Sequence, residues 1–160
     1  MKVAVVGATG MVGRKMLKVL EERNLPLNNI YFFASARSAG SAITFKGKEY
    51  PVEELTEQSF DKKIDIALFS AGGDISRIYA TIDKQKGVVV IDNSNAWRMD
   101  PSVPLIVPEV NKEDIKNHQG IIANPNCSTI QALVAIKPLH DAYKAKRIVF
   151  TTFQSVSGAG

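Results

Sequence analysis

The sequence predicts a doubly wound α/β domain with a mostly parallel sheet. Short runs of small or branched apolar residues recur at strand length. Amphipathic helical stretches separate several of them, and a glycine-spaced turn follows the first run directly. Right-handed crossovers are assumed from the general rule for such units.

The first strand is Val3 to Val6, four apolar residues in a row, the pattern of a strand buried on both faces. A helix follows over Met11 to Arg23, with Met11, Val12, Met16, Leu17, Val19 and Leu20 on one side. Asn24, Pro26 and Asn28-Asn29 end it. Ile30 to Ala34 is the next strand, and Phe45 to Pro51 is a short hairpin turning at Gly47. Ile64 to Phe69 and Val88 to Ile91 are strands joined by a helix from Ile75 to Lys86, which Gly87 closes. Leu105 to Val107 and Ile121 to Ala123 are short strands. Ser128 to Ile136 begins a helix, and Arg147 to Ser155, β-branched and aromatic, is predicted as a long strand running into a Gly/Ser turn. A turn there marks a change of direction, so a longer polypeptide is expected. Residues 1–125 are expected to form a dinucleotide-binding domain, and 126–160 the start of a second, α+β domain.

Composition narrows the function classes. The 160 residues are 45% hydrophobic and 22% charged, ordinary for a globular domain. The net charge of +4 is small, no block of five Lys/Arg occurs, and the aromatics do not interleave with basic residues. A nucleic-acid footprint is therefore not expected, while anionic small ligands suit the balance. The single cysteine, Cys127, allows no intrachain disulfide and no cysteine metal cluster, which points to a reducing compartment. The Val3–Val6 run is too short for a signal peptide, and no stretch of about 18 apolar residues occurs; the cytoplasm is expected and a membrane is not.

Gly7-Ala8-Thr9-Gly10-Met11-Val12-Gly13 lies between a buried strand and a helix, the setting of a Rossmann-type phosphate loop. Gly7 would make the tight turn, Gly10 the close approach to a pyrophosphate, and Gly13 the helix–sheet packing. The helix N-terminus offers free N–H groups to the anion. Gly13-Arg14-Lys15-Met16 excludes a Walker A loop, which needs Gly-Lys-Ser/Thr. After the second strand an NAD site wants an acidic residue for the ribose 2′-hydroxyl; here the chain runs Ser35-Ala36-Arg37-Ser38. A guanidinium and two hydroxyls suit a 2′-phosphate, so NADP is the expected cofactor. Ser70-Ala71-Gly72-Gly73, at the end of another strand, are small enough to let the cofactor close, and Asp74 could cap the next helix.

Cys127 stands in Asn124-Pro125-Asn126-Cys127-Ser128-Thr129, just where a helix begins. Asn126 or Ser128 could cap it. The first-turn N–H groups and the dipole favour a thiolate that attacks a carbonyl, with N–H groups holding the oxyanion. The alternative is a small buried hydrophobe. Neither histidine is a convincing base: His118 lies in a polar stretch, and His140 thirteen residues beyond the cysteine. Gln154 could orient a carbonyl or a water, or be an ordinary strand residue. Arg98, beside Trp97, could clamp a phosphate or carboxylate, or pair with Asp92 or Asp100. Glu109 fits either a helix cap or a substrate contact.

These segments together identify a resemblance. GATGMVG at 7–13, SARSAG at 35–40, ALFSAGG at 67–73, VIDNSNAWRMD at 90–100, VPEVN at 107–111, NPNCSTIQ at 124–131 and TFQSVSGAG at 152–160 resemble, in order, the N-terminal portion of the bacterial-type aspartate-semialdehyde dehydrogenase family. The family more often has Ser-Ala-Phe or Ser-Ala-Trp where Asn95-Ala96-Trp97 stands, which leaves the arginine in place. The resemblance implies NADPH-dependent reduction of L-aspartyl-4-phosphate to L-aspartate 4-semialdehyde with release of phosphate, a step toward lysine, threonine, methionine and diaminopimelate. It implies Cys127 as nucleophile, Gln154 orienting the thioacyl intermediate, Arg98 on the substrate phosphate and Asn126 beside the active site. It also implies cofactor contacts at Gly10, Met11, Val12, Arg37, Ser38 and Ser70–Gly73, and a homodimer. The family's acid/base histidine and its further substrate residues come later in the chain. N-acetyl-γ-glutamyl-phosphate reductase is the nearest rival, but usually sets its cysteine in Gly-Cys-Tyr-Pro-Thr. Glyceraldehyde-3-phosphate dehydrogenase usually has an NAD-selecting aspartate after the second strand, and none stands here. A non-catalytic NADP-binding domain would leave Cys127 unreactive.

Overall fold

The computed structural model describes residues 1–154 and 156. Seven strands form one sheet in the order β3-β4-β2-β1-β5-β6-β7. They are β1 (Lys2–Val6), β2 (Asn29–Ala34), β3 (Ala42–Phe45), β4 (Lys48–Glu54), β5 (Ile66–Phe69), β6 (Val89–Asp92) and β7 (Ile121–Ala123). Every pairing is parallel except the β3–β4 hairpin. The sequence prediction of a mostly parallel, doubly wound sheet therefore holds.

Burial explains the alternation. Val3 to Val6 are at most 2% exposed, as a strand covered on both faces requires. On one face Val5, Ile30, Phe32 and Val52 pack with Leu17 and Leu20 of α1 (Met11–Glu22). On the other, Ala4, Val6, Phe33, Phe69 and Val90 pack with Ala80 of α2 (Gly73–Gln85) and with Phe60. The strand order reverses at β1, with β2 on one side and β5 on the other. Such a switch point opens a crevice beyond the carboxyl ends of the strands.

The hairpin is wider than predicted, spanning residues 42–54 rather than Phe45 to Pro51, and β5 starts at Ile66 rather than Ile64. The larger differences from the sequence prediction lie toward the C-terminus. Leu105 makes a single parallel bridge to Ala123 rather than a strand. Residues 108–117 form a short α3 (Pro108–Asn111) and a 3-10 turn. The final helix, α4, runs from Cys127 to Tyr143, through Pro138, and has no buried residue. The strand predicted over Arg147 to Ser155 does not form: residues 147–154 are exposed and unpaired with any described strand. β-Branched residues favour a pleated, half-buried surface, but a strand also needs a neighbour to complete its ladder. Ser155 and 157–160, over which the Gly/Ser turn is predicted, lie outside the described residues.

One buried acid stands out. Ser76, Ala80 and Asp83 share the inner face of α2, and neither carboxylate oxygen of Asp83 has a hydrogen-bond partner among the described residues. Burial pushes its carboxyl from 3.8 up to about 8, against the opposing pull of the Lys86 ammonium. The folded protein thus keeps a proton that the unfolded chain loses. Asp83 leaves stability intact below its unfolded value of 3.8 and erodes it as pH rises to about 8. Asp83→Asn is expected to flatten that slope, gaining about 2–4 kcal/mol over wild type between pH 5 and pH 8. Urea unfolding at the two pH values measures it; parallel profiles for the two proteins would refute the assignment.

Candidate active site

The glycine turn forms one wall of the crevice. Gly7 takes φ +81°, and its N–H and that of Ala8 both donate to the Phe33 carbonyl at 2.8 and 3.2 Å. This ties the turn to the end of β2. A Cβ on Gly7 would stand 2.5 Å from the Ser70 carbonyl oxygen, so the turn also lies flush against the end of β5. A Cβ on Gly13 would meet the Gly7 carbonyl oxygen at 2.2 Å, so α1 sits directly on the turn. Gly10 precedes α1 with ordinary backbone angles and no side-chain cap, leaving the helix's first N–H groups for a ligand.

Around the turn lies a cavity of about 350 Å³, lined by residues from the ends of β1, β2, β4 and β5. Of the predicted cofactor contacts, Gly7, Thr9, Gly10, Ser35, Arg37, Ser38, Ser70 and Ala71 line it. Met11 and Val12 are exposed on α1, with Val12 in a separate apolar groove beside Leu68. Gly13 is buried beneath the turn, and Gly72 and Gly73 start α2 outside the lining. Asp74 does not cap that helix: Gly72 holds the cap position without a side-chain bond, and Asp74 reaches Arg77 at 3.5 Å.

The cavity also holds residues the sequence reading passes over: Ala36, Glu54, Leu55, Ile75 and Tyr79. Glu54 matters most. It lies opposite Ala34 in the parallel β2–β4 register, which brings a carboxylate to the same opening as Arg37. The nearest acid in sequence after β2 is Glu49, so only the strand pairing reveals this neighbour. The residues fit a dinucleotide: close-packed glycine backbone for a pyrophosphate, and hydroxyls, a guanidinium and a carboxylate for a ribose.

The cysteine lies at the start of α4. Asn126 is the cap, its Oδ1 accepting the N–H of Ser128 at 3.0 Å and of Thr129 at 3.3 Å. Cys127 is therefore the first helical residue, and it is exposed; it is not packed as a small hydrophobe. Asn126, Ser128, Thr129, Phe150, Thr152 and Gln154 line a cleft of about 300 Å³ beside it. Gln154 thus comes close to the cap residue although its strand does not form. His118 accepts the Gly120 N–H through Nδ1, and His140 lies in the last turn of α4, roughly 20 Å along the helix from Cys127.

Arg98 pairs with neither Asp92 nor Asp100. Its Nε donates to the Asn124 carbonyl at 2.9 Å and a terminal nitrogen to the Asn93 carbonyl at 3.1 Å. Trp97 turns toward α2, donating to Ser76 Oγ at 2.9 Å. Asp92 is fully buried at the end of β6; one oxygen accepts both the N–H and the hydroxyl of Ser94, holding the loop that carries Arg98. Glu109 lies in the first turn of α3, which Val107 precedes as cap residue.

Among the described residues no helix is long and apolar enough to cross a membrane. The chain is 61% identical over 161 residues to aspartate-semialdehyde dehydrogenase of Aquifex aeolicus, an alignment that covers 99% of this chain and 47% of the relative. It spans about half the length of the relatives it matches. Aspartate semialdehyde dehydrogenase II of Vibrio cholerae superposes with a TM-score of 0.83 at 51% identity, over 88% of this chain and 42% of that one. The same enzyme complexed with ASA gives 0.82 at 50% identity, over 88% and 46%. The family model described as the semialdehyde dehydrogenase NAD-binding domain matches residues 2–118. The match takes in the glycine turn, the crevice and Arg98, and the chain belongs to the semialdehyde dehydrogenase family, whose NAD-binding domain it carries.

Proposed function

We propose that the full-length protein is an aspartate-semialdehyde dehydrogenase. It reduces L-aspartyl-4-phosphate to L-aspartate 4-semialdehyde with NADPH and releases phosphate. The observation that carries this reading is the exposed thiol of Cys127 at the first position of an Asn-capped helix, beside a polar cleft. The 61% identity to the Aquifex aeolicus enzyme, and the ASA complex of the Vibrio cholerae one, support the substrate.

The chemistry follows from the side chains. The sulfur of Cys127, as thiolate, adds to the β-carbonyl carbon. The carbonyl reforms as the C–O bond to phosphate breaks, leaving a thioacyl group on the cysteine. The Asn126 cap occupies the first-turn N–H groups of Ser128 and Thr129, which leaves the N–H of Cys127 itself to stabilise the oxyanion in between. Gln154 orients the thioacyl carbonyl, Arg98 holds the departing phosphate, and Asn126 keeps the helix start in shape. Bound dinucleotide supplies the hydride. The tetrahedral oxyanion left on Cys127 takes up a proton as thiohemiacetal and, on losing it again, collapses to aldehyde as the C–S bond breaks and the thiolate leaves. Neither His118 nor His140 is placed to move those protons.

Residues 1–125 serve as the dinucleotide domain and 126–160 open the catalytic and dimerisation domain; α4, none of whose residues is fully buried, supports this division. The protein works as a cytoplasmic homodimer on small-molecule substrates. Phosphate-dependent reduction of NADP by aspartate semialdehyde, measured on the full-length polypeptide, tests the reading; a folded protein without that activity would defeat it.

NADP is the proposed dinucleotide because Arg37, Ser35 and Ser38 line the opening. Glu54, in the same lining, works against a second negative charge. Arg37→Ala is expected to weaken NADP binding by about 10- to 100-fold and NAD binding by less than about threefold. Fluorescence titration with the two reduced dinucleotides measures both. Equal losses would remove Arg37 from the 2′-phosphate.

A further inference from the structure

Asn124 directs three of its four polar groups at one loop. Its N–H donates to the Asp92 carbonyl at 2.8 Å. Its side-chain Nδ2 donates to Asn93 Oδ1 at 2.7 Å, and its carbonyl accepts Arg98 Nε at 2.9 Å. Arg98 closes the ring with its second bond, to the Asn93 carbonyl at 3.1 Å. Two of these contacts use the backbone of residue 124 and would survive a change of side chain. The Nδ2 bond would not. It is also the shortest of the four, and Asn93 and Asn124 are both partly buried, so that losing it leaves polar groups less open to water than at the surface.

The two ends of this ring belong to the two halves of the proposed chemistry. On one side is the Arg98 loop, fixed from below by the buried Asp92 through Ser94. The guanidinium spends two nitrogens on carbonyls, and its other terminal nitrogen has no hydrogen-bond partner among the described residues. On the other side the chain passes from Asn124 through buried Pro125 to the cap Asn126 and then to Cys127. Proline fixes its own φ and restricts the residue before it, so a shift at Asn124 is carried toward the helix start rather than absorbed.

We infer that Asn124 is a positioning residue, whose side-chain bond to Asn93 locks the Arg98 guanidinium and the start of α4 into one frame. Its effect is to hold an anionic phosphate and the Cys127 thiol at a fixed separation. An ångström of misplacement between reacting groups costs up to about a hundredfold in rate, which is the scale on which such a lock matters. The inference rests on the functional reading above for the roles of Arg98 and Cys127.

The test uses the full-length enzyme with Asn124→Ala and Asn124→Ser, and two readouts. The first is steady-state kinetics of aspartate semialdehyde oxidation. Alanine is expected to raise the KM for phosphate about tenfold and leave the KM for NADP unchanged, with serine, a shorter donor, in between. The second needs no turnover: inorganic phosphate should slow alkylation of Cys127 by iodoacetamide, with a half-protecting concentration about tenfold higher in the alanine variant. Phosphate KM and protection both within twofold of wild type, in a variant that melts normally, would overturn the inference. So would a wild-type thiol that phosphate does not protect. If the alanine variant does not fold, the serine variant decides by the same measures. A wild-type enzyme that is protected by phosphate yet fails to oxidise aspartate semialdehyde would sink the functional reading, and the protection series would then judge Asn124 alone.

Discussion

Cys127→Ser in the full-length enzyme is expected to lower kcat for aspartate semialdehyde oxidation by at least about 10⁴-fold, the scale on which removal of a nucleophile acts. A hydroxyl at the same position keeps the size and the helix start. It is a far weaker nucleophile without a base beside it, and His140 lies a helix-length away. Affinity for NADPH should stay within about threefold, because the dinucleotide crevice is built from the ends of β1, β2, β4 and β5 and Cys127 takes no part in its lining. Turnover and a fluorescence titration on the same preparation separate the two quantities. A serine enzyme within tenfold of wild type would mean that the thiol forms no bond to substrate. Joint loss of turnover and NADPH binding would mean that the substitution had disturbed the fold.

The sequence was most legible where local chemistry and global packing agree. Val3 to Val6, followed at once by Gly7, leaves little choice but a buried strand and a turn, and Gly13 below α1 plays the packing role its spacing implies. The Asn126 cap is likewise a local matter, settled by which oxygen reaches the N–H groups two and three residues on. Asp83 could have been found by the same periodicity that puts Ala80 inside, since residues 76, 80 and 83 share one helical face. What resisted reading depends on partners far away in the chain. Glu54 joins Arg37 only because β4 returns parallel to β2 after a hairpin. Arg98 has acids nearby in sequence, yet bonds to carbonyls at 93 and 124, the second brought near by the β6–β7 pairing. Arg147 to Gln154 has the composition of a strand, but composition does not supply the neighbour a strand requires.

Gly13→Ala should have the larger effect on the cofactor domain itself, and its contrast with Gly10→Ala separates two roles within one turn. At position 13 the new methyl group would lie 2.2 Å from the Gly7 carbonyl oxygen and 2.9 Å from Ala8 Cα. Both neighbours are backbone, so no side chain can swing away. Either α1 must lift from the sheet, opening the contacts of Leu17 and Leu20, or the turn must abandon its two bonds to Phe33. A loss of about 3 kcal/mol or more in unfolding free energy is expected, together with at least a hundredfold weaker NADPH binding. Position 10 differs in kind. A methyl group there would approach the same carbonyl at 3.3 Å, and the backbone is already in a conformation open to alanine. Gly10→Ala should therefore cost less than about 1 kcal/mol in stability while still weakening NADPH, because the methyl projects from the turn proposed to receive the pyrophosphate. Urea unfolding and dinucleotide titration of the two variants would show the split. Should Gly13→Ala unfold like wild type, α1 cannot rest on the turn as described; should Gly10→Ala bind NADPH like wild type, the pyrophosphate does not approach the backbone there.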